Sequence, residues 1–294
     1  MNNLNDEQVR KIEYQKDLRI VTTDKGKYII KKKKQDKSKI YRYLISRDFT
    51  FFPEIYEEIN DGRYEVRPFI EEAQTPKDQK ALDVIHLMSL LHNKTSFYQE
   101  VDSSDAKEMY ENLNDSIENT RLYYMDLQNS IISEIFMPPD HYHLVRNVSQ
   151  IYLALKVAKD YLDRWYEIVK NKTKKRVALI HNNLDTSHYI SGIKPTFINW
   201  DYAKVDIPIL DFYTFYKREC QEFDFSILYK SYVSKYPLME EEKYLLWTLL
   251  LIPEKINFEK QIYMSTVNSY YLVLYVNKTL DLVLKEEKKY AEQK

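Results

Sequence analysis

The sequence predicts an α+β protein of two lobes: a small antiparallel β-rich N-terminal lobe over residues 1–72 and a large, mostly helical C-terminal lobe over residues 73–294. Three observations predict it. The opening stretch carries β-rich runs separated by Asp-Lys-Gly and Asn-Asp-Gly turn signals. From Thr75–Pro76 onward, apolar residues recur at helical spacing. The helical pattern is then interrupted once, over residues 178–213, by a polar loop and short strand-like pieces.

In order along the chain, "LRIVTTDKGKYIIKKKK" reads as two strands around a Asp24–Gly26 turn. "KSKIYRYLISRDF" reads as a short helix, and "EIYEEINDGRYEVRPFI" as a second hairpin turning at Asn60–Gly62. Thr75 is placed to cap a helix with Pro76 at its first position, and Leu82, Ile85, Met88 and Leu91 or His92 mark its buried face. Residues 104–135 continue as helix until "MPPD" at Met137–Asp140 breaks it. Ile151, Leu155, Ala158, Leu162, Trp165 and Val169 form the next apolar stripe. Strand-like pieces return at Arg176–Ile180 and Thr196–Asp201, and helix resumes beyond Pro208. Val273, Val276, Leu280 and Val283 mark a packed face near the end. The default site in such an arrangement is a cleft between the lobes.

Composition removes several function classes. The formal net charge is -1, so no global field favours nucleic acid. A single cysteine, Cys220, excludes an intrachain disulfide framework and a thiolate-rich zinc site. The longest strongly apolar run, Leu245–Ile252, is far below the roughly twenty residues of a membrane span, and the polar N-terminus lacks a signal-peptide core. The expectation is a soluble, cytoplasmic protein with neither nucleic acid nor membrane as partner. Only three glycines occur, Gly26, Gly62 and Gly192. A phosphate-cradling loop needs glycine so that backbone N–H groups can approach the anion, and "IEYQKDLRIVTT" has none.

Residues 178–213, "ALIHNNLDTSHYISGIKPTFINWDYAKVDIPILDFY", with weaker echoes at "YIIK" and "LMSLLHNKT", resemble the aminoglycoside phosphotransferase and choline kinase superfamily. Within it, the bacterial spore-coat kinase-like branch is the most similar. The resemblance implies a protein-kinase-like fold, a catalytic-like loop at 181–188 and a hairpin at 190–201. Its loop reads His-Gly-Asp, four residues, Asn, followed by a hairpin and Ile-Asp-Trp. On that pattern His181, Trp200, Asp206, Pro208 and Asp211 match structural positions. Asn183 replaces the catalytic base. His188 and Asn199 replace the two metal ligands, and Lys31 matches the strand lysine that contacts nucleotide phosphates. The helix after Lys31 should then supply a glutamate to pair with it, yet residues 35–48 contain none.

An amide cannot accept a proton at neutral pH and is a poorer ligand than carboxylate for Mg²⁺. Phosphoryl transfer rests on positioning and on metal neutralising the developing charge. The pattern therefore implies a catalytically inactive pseudokinase that needs no cofactor. It would bind a protein partner or a small ligand in the interlobe cleft, in a spore-coat or sporulation role by analogy with that branch. The alternative is an active small-molecule phosphotransferase using ATP and Mg²⁺, with Asp185 as a displaced base and Asp201 as a substitute metal ligand. If Thr196–Asp201 is a strand, residues 199 and 201 share a face. His86, His92, His141 and His143 are read as packing or surface groups, and Cys220 as a non-catalytic thiol.

Overall fold

In the computed structural model, residues 8–15, 18–34, 36–55, 57–59, 62–258 and 261–292 are described. The two expected hairpins lie in one antiparallel sheet. Strands β1 (Val9–Gln15), β2 (Leu18–Thr23), β3 (Lys27–Lys32), β4 (Glu57–Ile59) and β5 (Tyr64–Pro68) form one antiparallel sheet in the order β1-β2-β3-β5-β4. The β2–β3 turn falls where Asp-Lys-Gly predicts it. Thr23 N–H donates to the Gly26 carbonyl at 2.8 Å, and the Thr23 hydroxyl accepts from Gly26 N–H at 3.1 Å. Strand β1 was not expected; its apolar residues alternate with charges and none is buried. The second hairpin forms too, although Asn60 and Asp61 of its predicted turn lie outside the described residues. So do Lys16 and Asp17 of the glycine-free "IEYQKDLRIVTT" stretch.

Helix α1 (Ser38–Ser46) follows β3 as predicted. It ends because Asp48 adopts a left-handed conformation (φ 53°), which lets Phe49 N–H reach back to the Leu44 carbonyl at 2.9 Å. Helix α2 (Lys77–Thr95) begins one residue later than predicted, with the Pro76 carbonyl accepting from Lys80 N–H. Its buried face is Ala81, Val84, Ile85, Met88, Leu91 and His92; Leu82, expected there, is only half-buried.

The described chain divides into two compact units. One comprises residues 1–95 with 179–205, the other 96–178 with 206–294. The first thus joins the sheet, α1 and α2 to the predicted catalytic-like loop. The second is built on helices α3 (Ser103–Ile132), α4 (Pro139–Val169), α5 (Ile209–Glu219), α6 (Phe225–Lys235), α7 (Glu240–Leu251) and α8 (Ile262–Glu292). Helix α4 is its axis and packs against α3, α7 and α8. Its stripe of Ile151, Leu155, Ala158, Leu162 and Trp165 is buried as its spacing predicts. Val273, Val276, Leu280 and Val283 of α8 are buried as well. Strand β6 (Phe97–Glu100) pairs antiparallel with the start of β7 (Lys174–Ile180), from Phe97↔Val177 to Glu100↔Lys174. The architecture is α+β, an antiparallel sheet followed by a mostly helical remainder.

Candidate functional site

The predicted loop and hairpin lie in the first unit with the sheet. The chain enters from β7 through Leu179, whose N–H donates to the Thr95 hydroxyl at 3.2 Å. His181 is fully buried. Its Nε2 donates to the Ile198 carbonyl at 2.8 Å, and its ring meets Trp200 edge-on at 4.7 Å. Trp200 is also buried and donates from its indole N–H to the Phe197 carbonyl at 2.8 Å. These contacts fasten the loop to the hairpin, because a buried polar ring atom must find a partner. Asn182 takes a left-handed conformation, φ 56°, at the position where the family motif has glycine. Asparagine tolerates that region better than most side chains.

Asp185 caps the 3₁₀ turn over Thr186–His188. One carboxylate oxygen accepts from Ser187 N–H at 2.9 Å, His188 N–H at 3.1 Å and the Ser187 hydroxyl at 2.5 Å. Its other oxygen lies 3.4 Å from His188 Nδ1, which donates to the Asn183 carbonyl at 2.5 Å. The loop thus ties Asn183, Asp185 and His188 to one another.

The hairpin is shorter than predicted. Strands β8 (Tyr189–Ile190) and β9 (Thr196–Phe197) pair, Tyr189 opposite Phe197 and Ile190 opposite Thr196. The strand expected to run to Asp201 stops at Phe197. Asn199 is left-handed, φ 63°, and Trp200–Tyr202 form a 3₁₀ turn. The period-two argument for residues 199 and 201 therefore fails. The two side chains meet anyway, through the turn and through a common partner.

That partner is Lys31. Its ammonium donates to Asn199 Oδ1 at 2.7 Å and lies 3.3 Å from Asp201 Oδ2. The other Asp201 oxygen bonds to the ammonium of Lys37, which precedes α1. Lys37 also faces Glu65 on β5, at 3.4 Å, and Glu65 pairs with Arg67. Arg67 in turn donates to the Tyr41 hydroxyl at 3.0 Å. The side chains of Lys37, Glu65 and Asp201 are only 4%, 2% and 8% exposed. Burial by itself would raise the Asp201 pKa; the ammonium groups of Lys37 and Lys31 outweigh it and hold the carboxyl below its ordinary value. Burial likewise opposes the Arg67 charge, and Tyr41 and Glu65 more than compensate, raising its pKa.

Lys37, Glu65, Arg67 and Tyr41 were not foreseen from the sequence. The missing helix glutamate is answered from elsewhere: a lysine stands before the helix, and the carboxylates come from β5 and the hairpin. One signal was available. In "YEVRP" the charged Glu65 and Arg67 alternate with buried Val66 on a central strand, where uncompensated charge is costly.

Beside this network lies a cleft of about 90 Å³. Leu18, Ile29, Ile70, Ile190 and Ile198 line it together with the polar Lys31, Lys37, Arg67 and Asn199.

The remaining predicted residues belong to the second unit. Asp206 accepts a hydrogen bond from Ile207 N–H at 2.8 Å. Asp211, in the first turn of α5, is fully buried. His141 contacts Glu134 at 2.9 Å and His143 contacts the Ser269 hydroxyl at 3.2 Å. Among the described residues no cluster of three or more His, Cys, Asp or Glu could hold a metal ion. No described helix is long and apolar enough to cross a membrane.

The fold is kinase-like α+β, similar to the folds of solved aminoglycoside phosphotransferases. The chain is similar to the aminoglycoside phosphotransferase from Alicyclobacillus acidocaldarius, with a TM-score of 0.73, 10% identity, and coverage of 97% of this chain and 93% of that one. It is also similar to spectinomycin phosphotransferase in its AMP-bound complex, with a TM-score of 0.51, 12% identity, and coverage of 96% and 89%. No protein-family profile and no curated protein sequence matches the chain.

Proposed function

We propose that this protein is a pseudokinase, a kinase-like scaffold whose cleft serves binding rather than phosphoryl transfer. The observation that carries the reading is the double engagement of Asp201. Both of its oxygens face lysine ammonium groups, and Asn199 is bonded to one of the same lysines. Two fixed cations thus occupy the carboxylate that a metal would need. Mg²⁺ requires oxygen ligands, carboxylates above all, in near-octahedral array. Asn183, His188 and Asn199 offer amides and an imidazole, so this donor set does not fit Mg²⁺. Asp185, the candidate displaced base, already accepts three hydrogen bonds through one oxygen. The cleft, at about 90 Å³, is below the roughly 300–1,000 Å³ of ordinary small-molecule sites. A small apolar ligand or a side chain of a partner protein suits it better than a metal-bound triphosphate. By analogy with the spore-coat kinase-like branch, the partner would be a component of coat assembly.

The test is a thermal-shift titration with Mg·ATP beside an assay for phosphate release. A ligand at one hundred times its Kd adds about 2.7 kcal/mol of stability, so tens-of-micromolar affinity gives a clear shift at millimolar nucleotide. Little or no shift and no phosphate release are expected. Asn183→Asp with Asn199→Asp should gain partial metal binding at most, still without turnover. A Mg²⁺-dependent shift in the unaltered protein, lost in Asp201→Ala, would overturn this reading and favour the active phosphotransferase instead.

A further inference from the structure

Strand β1 is one edge of the five-stranded sheet, with no strand beyond it among the described residues. It carries Val9, Ile12 and Tyr14 at 47%, 46% and 72% exposure. An edge of this kind offers unpaired N–H and C=O groups to another strand, and proteins usually blunt it. Which groups point outward follows from the pairing of β2. The Thr23–Gly26 bond closes the β2–β3 hairpin, so residues 19, 21 and 23 of β2 bond toward β3 and residues 18, 20 and 22 toward β1. Their partners on β1 are Gln15, Glu13 and Lys11. The backbone groups of Ile12 and Tyr14 therefore face away from the sheet. A bulge between Val9 and Lys11 confines the regular part of the edge to residues 11–15.

We infer that two copies of the chain pair antiparallel through β1, with Ile12 opposite Ile12 of the second copy. Only an antiparallel arrangement gives a closed two-fold contact between identical edges. Outward groups must meet outward groups, which leaves three central registers. Centring on Lys11 sets lysine against lysine, and centring on Glu13 sets glutamate against glutamate; like charges directly opposite are destabilising. Centring on Ile12 instead sets Lys11 against Glu13 twice and isoleucine against isoleucine, all within the regular part of the edge. Lys11 and Glu13 are already 2.7 Å apart on one face of the strand, so in the dimer they form a four-charge cluster of alternating sign. The other face gains an apolar isoleucine pair. The heptad "VRKIEYQ" is thus self-complementary about its central residue. The contact is smaller than the roughly 1,200 Å² of a stable interface, so the dimer is a weak one. It does not depend on whether the cleft binds nucleotide.

The experiment is sedimentation equilibrium on the full chain with four variants. The wild type should show reversible monomer–dimer exchange. Ile12→Pro removes an outward N–H and no bond to β2, a place where an edge strand tolerates proline. It should abolish the dimer and leave the melting temperature unchanged. Lys11→Glu and Glu13→Lys should each weaken association, by about tenfold for two reversed pairs, and the double variant should restore it. A wild type that stays monomeric to about 1 mM, where only contacts weaker than that Kd escape, overturns the inference. So does a dimer that survives Ile12→Pro, or a double variant no better than the singles. Should Ile12→Pro fail to fold, the charge-reversal series decides alone.

Discussion

Lys37 and Asp201 stand 164 residues apart in the chain and share a hydrogen bond in the interior of the first unit. The two side chains are only 4% and 8% exposed, and each has a second partner: Glu65 for Lys37 and Lys31 for Asp201. The charges alternate from Lys31 through Asp201, Lys37 and Glu65 to Arg67. Such a chain survives burial only because every member is paired; removing one strands its neighbours in a low-dielectric setting.

Lys37→Met should therefore be strongly destabilising. Breaking a buried pair by deleting one partner costs about 3–5 kcal/mol. Urea unfolding should show that loss, and Lys31→Met, at a more exposed position, should lose less. Combining Lys37→Met with Asp201→Asn should cost less than the two changes added, since the second removes the charge that the first leaves unpaired. Strict additivity would show that the two residues do not interact energetically.

The depressed pKa of Asp201 gives a signed pH dependence. A carboxyl whose folded pKa lies below its unfolded value of about 3.9 contributes stability above that value. The contribution is lost as pH falls through the folded pKa. The stability difference between wild type and Asp201→Asn should stay level from neutral pH down to about pH 5 and shrink below about pH 4. A difference that grows on acidification would contradict the assigned pairing.

Much of the fold was legible because its signals are local. Asp-Lys-Gly names its own turn, and the stripe from Ile151 to Trp165 needs only helical spacing. The loop was read from its resemblance to a family motif, and the structure buries His181 and Trp200 within it. The charge network was not. Its charged members come from β3, the residue before α1, β5 and the turn after the hairpin, far apart in the sequence. The over-long strand had a related cause. "TFINWD" reads as β by propensity, but Asn199 can adopt a left-handed turn that most residues avoid, and the buried Trp200 indole bonds back to Phe197. Strand β1 escaped notice because an edge exposed on both faces has no buried face to impose alternation.

Asp211 should behave as a structural residue. It is fully buried in the first turn of α5, where a carboxylate also meets the positive end of the helix dipole. Asp211→Ala should lower stability by about 3–5 kcal/mol, the range for breaking a buried charged contact. Asp206→Ala, which removes a contact to the neighbouring Ile207 N–H, should cost about 1 kcal/mol. Denaturant midpoints for the two variants test the contrast, and equal losses would count against the role given to Asp211.

Cys220 should be inert in the native protein. Burial pushes its thiol pKa up to about 11, with Lys278 only partly offsetting it. Thiolate is the reactive form, and at pH 8 a group of that pKa is about 0.1% ionised. The side chain is also 2% exposed. Iodoacetamide at pH 8 should therefore leave the folded chain unmodified over an hour and label it fully once urea unfolds it, as intact-mass measurement would show. Rapid stoichiometric labelling of the native protein would mean that α5 opens readily at its C-terminal end, and the thiol would then deserve reconsideration as a reactive group.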